Sequence, residues 1–407
     1  MDTRPAARAV GAVLKYLALV CAGLALGVAA LPAVPQAAPA DAVALPSATA
    51  PPVPDEIPVA LLIDLSSGQT LFAREPDRRF VPASVTKVMT AYSAFRLIEQ
   101  GKISPQTPVT ISQEVAELWS GEGSSMFLKA DDRVTIGELL LGVTTVSAND
   151  GAVALAMAAT GSQETWLGLM NRNATELGMR DTHFGTANGW PDEGRTYTSA
   201  RDLALLAEAL TTRYPGLYRR YFGHHGMSYN NITQNNHDPV TGVVEGADGI
   251  KTGFTRQSGY NFLGSAERNG RRLVMVIAAA PTASIRNSTA RNLLRWGFDA
   301  FESRMILPAE LPVGHARVQN GAAGEVELHT ERAVLASVPA ERTGEVRLSI
   351  RYRGPVEAPI AEGQKVAFLR VEVPGQQPHD VPLVAGRAVA RANVIERLRN
   401  GLLGLIT

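Results

Sequence analysis

The sequence predicts an α/β domain, an antiparallel sheet flanked by helices with an added helical subdomain, followed by a small all-β domain and a C-terminal amphipathic helix. Three observations predict it. Strand-like apolar runs stand near both ends of the first 304 residues, at 58–64 and 249–280, and helix-period runs fill the space between them. Asn269-Gly270 joins two of the later runs, which is the strongest short hairpin signal a sequence carries. After Leu307 the apolar period drops to two, with frequent Gly and Pro between the runs.

Taken in order, the chain begins with Arg4, Arg8 and Lys15, then an uncharged apolar run from Tyr16 to about Val34, then the small residues Ala37, Ala38 and Ala40. That is the layout of a secretory signal over residues 1–40, and export from the cytoplasm is expected. The lone cysteine, Cys21, lies inside the run, so a chain cleaved near Ala37 to Ala40 has no disulfide and must rely on its apolar cores. Pro46, Pro51, Pro52 and Pro54 make 41–56 an expected extended tether.

The first domain is expected over 57–304. Pro58 to Asp64 and Thr70 to Ala73 read as a hairpin turned by Ser66-Ser67-Gly68. Val85, Val88, Met89, Tyr92, Phe95 and Ile98 recur at helical spacing, which fastens one face of a helix into a core. Thr135-Ile136-Gly137-Glu138 has the form of a capping box opening an apolar helix. That helix delivers the chain to the polar tetrad Ser147-Ala148-Asn149-Asp150, and a second apolar run extends from Gly151 to Ala159. Further helices are expected from Glu164 to about Leu177, stopped at Gly178, and from Ser199 to about Leu210. The stretch 224–238 is expected to be a polar surface loop; its His224, His225 and His237 lack zinc-ligand spacing, and neither metal nor cofactor is expected. Strands return at 249–254, 260–268 and 271–280, and a helix from Ser284 to about Phe301 closes the domain.

Residues 305–390 carry alternating runs at 325–329, 345–352 and 365–371, an all-β domain in which no arrangement of residues looks catalytic. In 391–407, Val394, Leu398, Leu402 and Leu405 share a helical face, and Arg391, Arg397 and Arg399 outnumber Glu396, which suits a helix lying on a membrane surface. The chain as a whole is 407 residues, 45% apolar, with Lys plus Arg equal to Asp plus Glu at 39 each. No global charge draws it to nucleic acid, and no nucleic-acid partner is expected.

The chemistry begins at Ser84-Val85-Thr86-Lys87. Residues three apart on a helix share a face, so a serine hydroxyl and a lysine amine can meet there. A lone Ser-x-x-Lys arises by chance about once in a chain of this length, so its meaning depends on motifs elsewhere in the chain. A serine needs a base at neutral pH, no His-Asp pair is evident, and a lysine serves only when neutral. Burial and a second cation would both favour the neutral amine, and Lys251 can supply that cation if its strand faces the Ser84 helix.

Ser84-x-x-Lys87, Ser147-x-Asn149 and Lys251-Thr252-Gly253 occur in the order of the motif set shared by class A β-lactamases and penicillin-binding proteins. With Thr198 to Leu203, Asp248 to Gly253 and the β domain, the chain over about 57–390 resembles the low-molecular-mass penicillin-binding proteins that are D-alanyl-D-alanine carboxypeptidases. The resemblance implies a β-lactamase/transpeptidase-like first domain and removal of the terminal D-alanine from peptidoglycan pentapeptide stems. It implies that Ser84 attacks the penultimate D-alanine carbonyl, Lys87 takes its proton and Ser147 passes a proton to the departing D-alanine. Asn149 would bond the stem, Lys251, Thr252, Gly253 and Arg286 would line the carboxylate end, and the N–H groups of Ser84 and Phe254 would hold the oxyanion. β-Lactam antibiotics would acylate Ser84. A class A β-lactamase needs Glu-x-x-x-Asn after the second motif, and 160–200 contains none; Asn188-Gly189-Trp190-Pro191 stands where the family usually has Gly-Leu-Pro. Endopeptidase activity and a catalytically silent wall-binding scaffold remain as alternatives.

Overall fold

The computed structural model describes residues 50–340 and 345–393. The expected signal segment, the first part of the tether, and all of the expected C-terminal helix after Asn393 lie outside them.

β1 (Val59–Asp64) and β2 (Gln69–Arg74) form the expected hairpin. A 3₁₀ turn, Ala83–Thr86, then runs straight into α1 (Lys87–Glu99). Ser84 therefore sits in the tighter turn ahead of the α-helix, where i and i+3 side chains eclipse. α1 is also buried on nearly every side, Lys87 through Phe95 without a break, because it runs through the middle of the domain and not along its surface.

β3 (Pro108–Thr110) pairs with β4 (Arg133–Thr135), and α2 (Gln113–Trp119) lies between them in the chain. The capping box is formed: Thr135 accepts from the Glu138 N–H and Glu138 accepts from the Thr135 N–H, which starts α3 (Ile136–Thr145). α4 (Asn149–Thr160) and α5 (Gln163–Glu176) come next, the latter ending at Gly178 with φ +77°. α6 (Ala200–Arg213) is capped by Ser199 and leads to α7 (Pro215–Tyr221). The stretch expected as a loop holds a small hairpin, β5 (Gly226–Tyr229) with β6 (Ile232–Asn235), whose alternation is too polar to stand out in the sequence.

β7 (Ala247–Thr255), β8 (Gly259–Arg268) and β9 (Arg271–Ala280) complete a five-stranded antiparallel sheet of order β2-β1-β9-β8-β7. Asn269 and Gly270 turn β8 into β9 with φ of +52° and +76°, the doubly positive turn that matches strand twist. Val59, Leu61, Val274 and Val276 face the helical subdomain; Ala60, Leu62, Leu273, Met275 and Ile277 face Ala290, Leu293 and Leu294 of α8 (Ala283–Asp299). Both faces are covered, so these strands read as continuous apolar runs.

The expectation of a free tether is corrected at its end. Val53 and Ile57 are buried in the core beneath α8, and Arg74 Nη1 donates to the Pro54 and Ile57 carbonyls at 2.5 and 2.9 Å, which fastens this end of the chain to β2.

β10 (Phe301–Leu307) takes the chain into the β domain, so position 304 falls inside a strand. The rest of that domain is β11 (Pro312–Gln319), β12 (Glu325–Thr330), β13 (Val334–Pro339), β14 (Arg347–Arg351), β15 (Val356–Glu357), β16 (Lys365–Glu372) and β17 (His379–Ala385). Six form a sheet of order β14-β16-β17-β12-β11-β15, and the β10–β13 pair packs across it through Val334, Ala336 and Val338 against Val326, Leu328, Leu369 and Leu383. A buried polar network joins this domain to the first. Asp64 accepts from Arg271 Nε and from Ser337 Oγ, both at 2.6 Å, while Ser67 bonds Ser337 and Gln69 bonds Gln376.

Candidate active site

The expected residues converge on one cleft of about 620 Å³, lined by Ser84, Ser147, Asn149, Thr252, Gly253, Phe254 and Arg286. A groove of similar size, about 660 Å³, lies in the β domain among Arg351, Tyr352, Val356 and Phe368, and no serine, cysteine or histidine lines it. Volume does not distinguish the two; chemistry does.

At the cleft floor Lys87 Nζ lies 2.9 Å from Ser84 Oγ, 2.7 Å from Asn149 Oδ1 and 2.6 Å from the Asn188 carbonyl oxygen. Lys87 is fully buried. Burial pushes its amine well below the ordinary lysine range, Lys251 pushes it further, and Asp150 pulls partly back. A neutral amine has two N–H groups and one lone pair. Asn149 and Asn188 take the two N–H groups, which leaves the lone pair for the Ser84 hydroxyl proton. The residue types thus form a nucleophile and its base without a histidine.

Two backbone features set up this geometry. Ala83 and Ser147, both non-glycine, hold φ of +51° and +64°, conformations retained only where surrounding structure enforces them. Close backbone approach does the rest: a Cβ on Gly189 would stand 1.9 Å from the Ala83 carbonyl oxygen, and one on Gly253 would stand 2.4 Å from that of Pro82. Gly253 therefore lets β7, the sheet edge, press against the 3₁₀ turn and brings Phe254 into the cleft beside Ser84.

Lys251 is buried and donates to the Thr252 carbonyl at 3.0 Å. Burial first, then Arg286, lowers it to about 7, with Asp238 opposing. Arg286 is itself buried; burial lowers it to about 10, and its Nε and Nη2 donate to Asn287 Oδ1 at 2.9 and 2.8 Å. This end of the cleft holds two buried basic side chains whose mutual repulsion Asp238 partly offsets, which suits a carboxylate.

Asn149 is more occupied than the sequence implied: its Nδ2 donates to the Glu122 carbonyl at 2.8 Å while Oδ1 serves Lys87. Other contributors were not foreseen from the sequence. Asp150, fully buried, accepts from Ser125 Oγ and from the Met126, Leu128 and Gly151 N–H groups, which ties the 121–128 loop to the start of α4. Its place in the polar tetrad was the signal that could have found it. Thr90 and Lys87 on α1 hold the 187–188 carbonyls. His237 lines the cleft, and burial followed by Lys251 and Arg286 lowers its proton affinity, which corrects the expectation of a plain surface loop; no spacing in that polar stretch could have revealed it. Tyr260 also lines the cleft and stacks on Phe254 with ring centroids 4.2 Å apart.

A helix-mounted serine with a buried lysine base, facing a sheet edge that carries a second lysine, defines the class of active-serine enzymes that work without a histidine. The D-alanyl-D-alanine carboxypeptidase family profile matches residues 48–282, and the profile of the penicillin-binding protein 5 C-terminal domain matches 301–391. The chain belongs to the D-alanyl-D-alanine carboxypeptidase family. It is 34% identical to the D-alanyl-D-alanine carboxypeptidase DacD of Escherichia coli over 357 residues, 85% of this chain and 91% of that one. The crystal structure of penicillin-binding protein 5 from Haemophilus influenzae matches with a TM-score of 0.72 at 31% identity, covering 83% of this chain and 98% of the other. Penicillin-binding protein D2 of Listeria monocytogenes, solved in its ampicillin-bound form, matches with a TM-score of 0.54 at 26% identity over 60% of this chain and 98% of its own.

Proposed function

We infer that this protein is a serine-type D-Ala-D-Ala carboxypeptidase that trims the terminal D-alanine from peptidoglycan pentapeptide stems and is acylated by β-lactams. The observation that carries the reading is the buried Lys87 amine, 2.9 Å from Ser84 Oγ, whose proton affinity is lowered by burial first and then by Lys251.

The stem's terminal carboxylate binds at Lys251, Thr252 and Arg286. Ser84 Oγ bonds to the carbonyl carbon of the penultimate D-alanine while its proton passes to Lys87. The Ser84 and Phe254 N–H groups take the developing oxyanion, each donor worth about 3 kcal/mol in comparable sites. The C–N bond then breaks, and Ser147 conducts a proton to the leaving amine. Water attacks the acyl-enzyme, Lys87 again accepts the proton, and Ser84 is regenerated with a shortened stem. A β-lactam goes through the first half, but its leaving amine stays tethered to the acyl group, so the adduct persists.

Incubation with a disaccharide pentapeptide tests the reading. Free D-alanine and the matching tetrapeptide are expected; cross-linked product would make the enzyme a transpeptidase, and cleavage of dimeric muropeptides an endopeptidase. No release, with no uptake of labelled penicillin, would leave only a wall-binding scaffold.

Export and membrane attachment belong to the same proposal. The charged start and apolar run support a secretory signal, and the Arg-rich apolar face after Ala390 supports a helix lying on the outer face of the membrane. Among the described residues no helix is long and apolar enough to cross a membrane. Truncation after Ala390 is expected to release the protein from washed membranes; an unchanged distribution with the signal cleaved would refute the attachment.

A further inference from the structure

We propose that Trp190, braced by Trp119, is the wall of an apolar subsite for the side chain that precedes the D-Ala-D-Ala terminus, and for the aryl side chain of a β-lactam. The inference rests on the carboxypeptidase reading and adds the substrate feature this chain selects.

The indole is placed by the catalytic core itself. Thr90 Oγ1 and Lys87 Nζ on α1 donate to the carbonyls of Ala187 and Asn188, both at 2.6 Å, and the Trp190 backbone N–H donates to Asn188 Oδ1 at 3.0 Å. Gly189 lies against the Ala83 carbonyl, so the loop cannot back away from the nucleophile turn. Trp190 is thus fixed two residues from a carbonyl that bonds the base.

The ring offers exposed apolar surface to the cleft on the side away from Phe254 and Tyr260 of the sheet edge. Trp119 meets the Trp190 ring at 5.7 Å and 90°, and Trp190 remains 37% exposed and lines the cleft, which leaves indole surface for a ligand. Over Gly123 the indole and the Asn149 amide come together: a Cβ there would stand 3.2 Å from Trp190 Cζ3 and 3.0 Å from Asn149 Nδ2. The cations Lys251 and Arg286 come from β7 and α8, on the sheet side. A substrate with its carboxylate on those cations and its carbonyl at Ser84 runs on toward Asn149, and its preceding side chain meets the indole.

Planar and aliphatic groups gain from such a ring, and a substrate without a side chain gains nothing. The discriminating measurement is the ratio of second-order acylation rate constants for benzylpenicillin, which carries an aryl side chain, and 6-aminopenicillanic acid, which carries none, each by competition with a fluorescent penicillin. In Trp190→Leu this ratio is expected to fall about tenfold, in Trp119→Ala by less, and in Trp190→Phe to return most of the way. An unchanged ratio in Trp190→Leu, whether or not both rates fall, would overturn the subsite, since a purely structural role slows both compounds alike. Failure of the wild type to take up either compound would instead count against the carboxypeptidase reading.

Discussion

Asn149 Oδ1 accepts from Lys87 Nζ at 2.7 Å, a contact as short as any the amine makes with a side chain, and the same asparagine bonds the Glu122 carbonyl through Nδ2. The second motif therefore holds the base of the first. Asn149→Ala is expected to lower the acylation rate constant by about 10- to 100-fold through loss of a buried hydrogen bond to the amine. Asn149→Asp places a carboxylate beside Lys87, raises its proton affinity, and is expected to move the acid limb of the pH–rate profile to higher pH.

The two lysines must carry opposite protonation states. Activity rises with pH as Lys87 loses its proton and falls as Lys251 loses its own; for kcat/KM the alkaline limb is expected near 7, the value to which burial and Arg286 bring Lys251 in the empty cleft. In Lys251→Ala the charge that lowers Lys87 is gone, so the acid limb is expected to shift to higher pH and carboxylate binding to weaken. An unchanged acid limb would break the coupling. Stability runs the opposite way: Lys251 has a folded-state value below that of the unfolded chain, so unfolding takes up protons between about 7 and 10.5, and stability is expected to rise with pH across that window.

Gly253 has no room for a side chain. In Gly253→Ala the methyl must push β7 off the Pro82 carbonyl, which moves Phe254 N–H away from the oxyanion position. Acylation is expected to fall at least about 100-fold, the scale of losing one oxyanion donor, with a smaller loss of melting temperature. A rate near wild type would show that this approach is dispensable.

Asp150 ties four donors together inside the fold. Asp150→Ala leaves buried N–H groups unpaired, each costing about 1–3 kcal/mol, and is expected to destabilise the domain by about 3–5 kcal/mol, read as the midpoint of a urea titration. Asp150→Asn retains size and some acceptors and is expected to lose less.

Much of the fold was legible in the chain. The capping box at Thr135, the stop at Gly178 and the Asn269-Gly270 hairpin are local devices, each requiring particular residue types at fixed offsets, and they sit where the sequence places them. The meeting of Ser84, Ser147 and Asn149 in one cleft, with Lys87 and Lys251 buried beside it, follows the grouping that the three motifs suggest. The roles of Gly189 and Asn188 were not legible, because they depend on approach between segments about 100 residues apart, which leaves no periodic trace, and His237 was not because a lone histidine in a polar stretch carries no spacing signal. The packed end of the tether was missed for a similar reason: prolines describe chain stiffness, and Arg74 decides what the chain leans on.

The central claim is an acyl-enzyme on Ser84 with Lys87 as its base, and the most direct measurement is mass spectrometry of protein quenched after brief exposure to benzylpenicillin. The adduct is expected on the peptide containing Ser84, in Lys251→Ala more slowly than in wild type, and absent from Ser84→Ala and Lys87→Ala on the same timescale. An adduct on another residue, or equal labelling of Ser84→Ala, would contradict it.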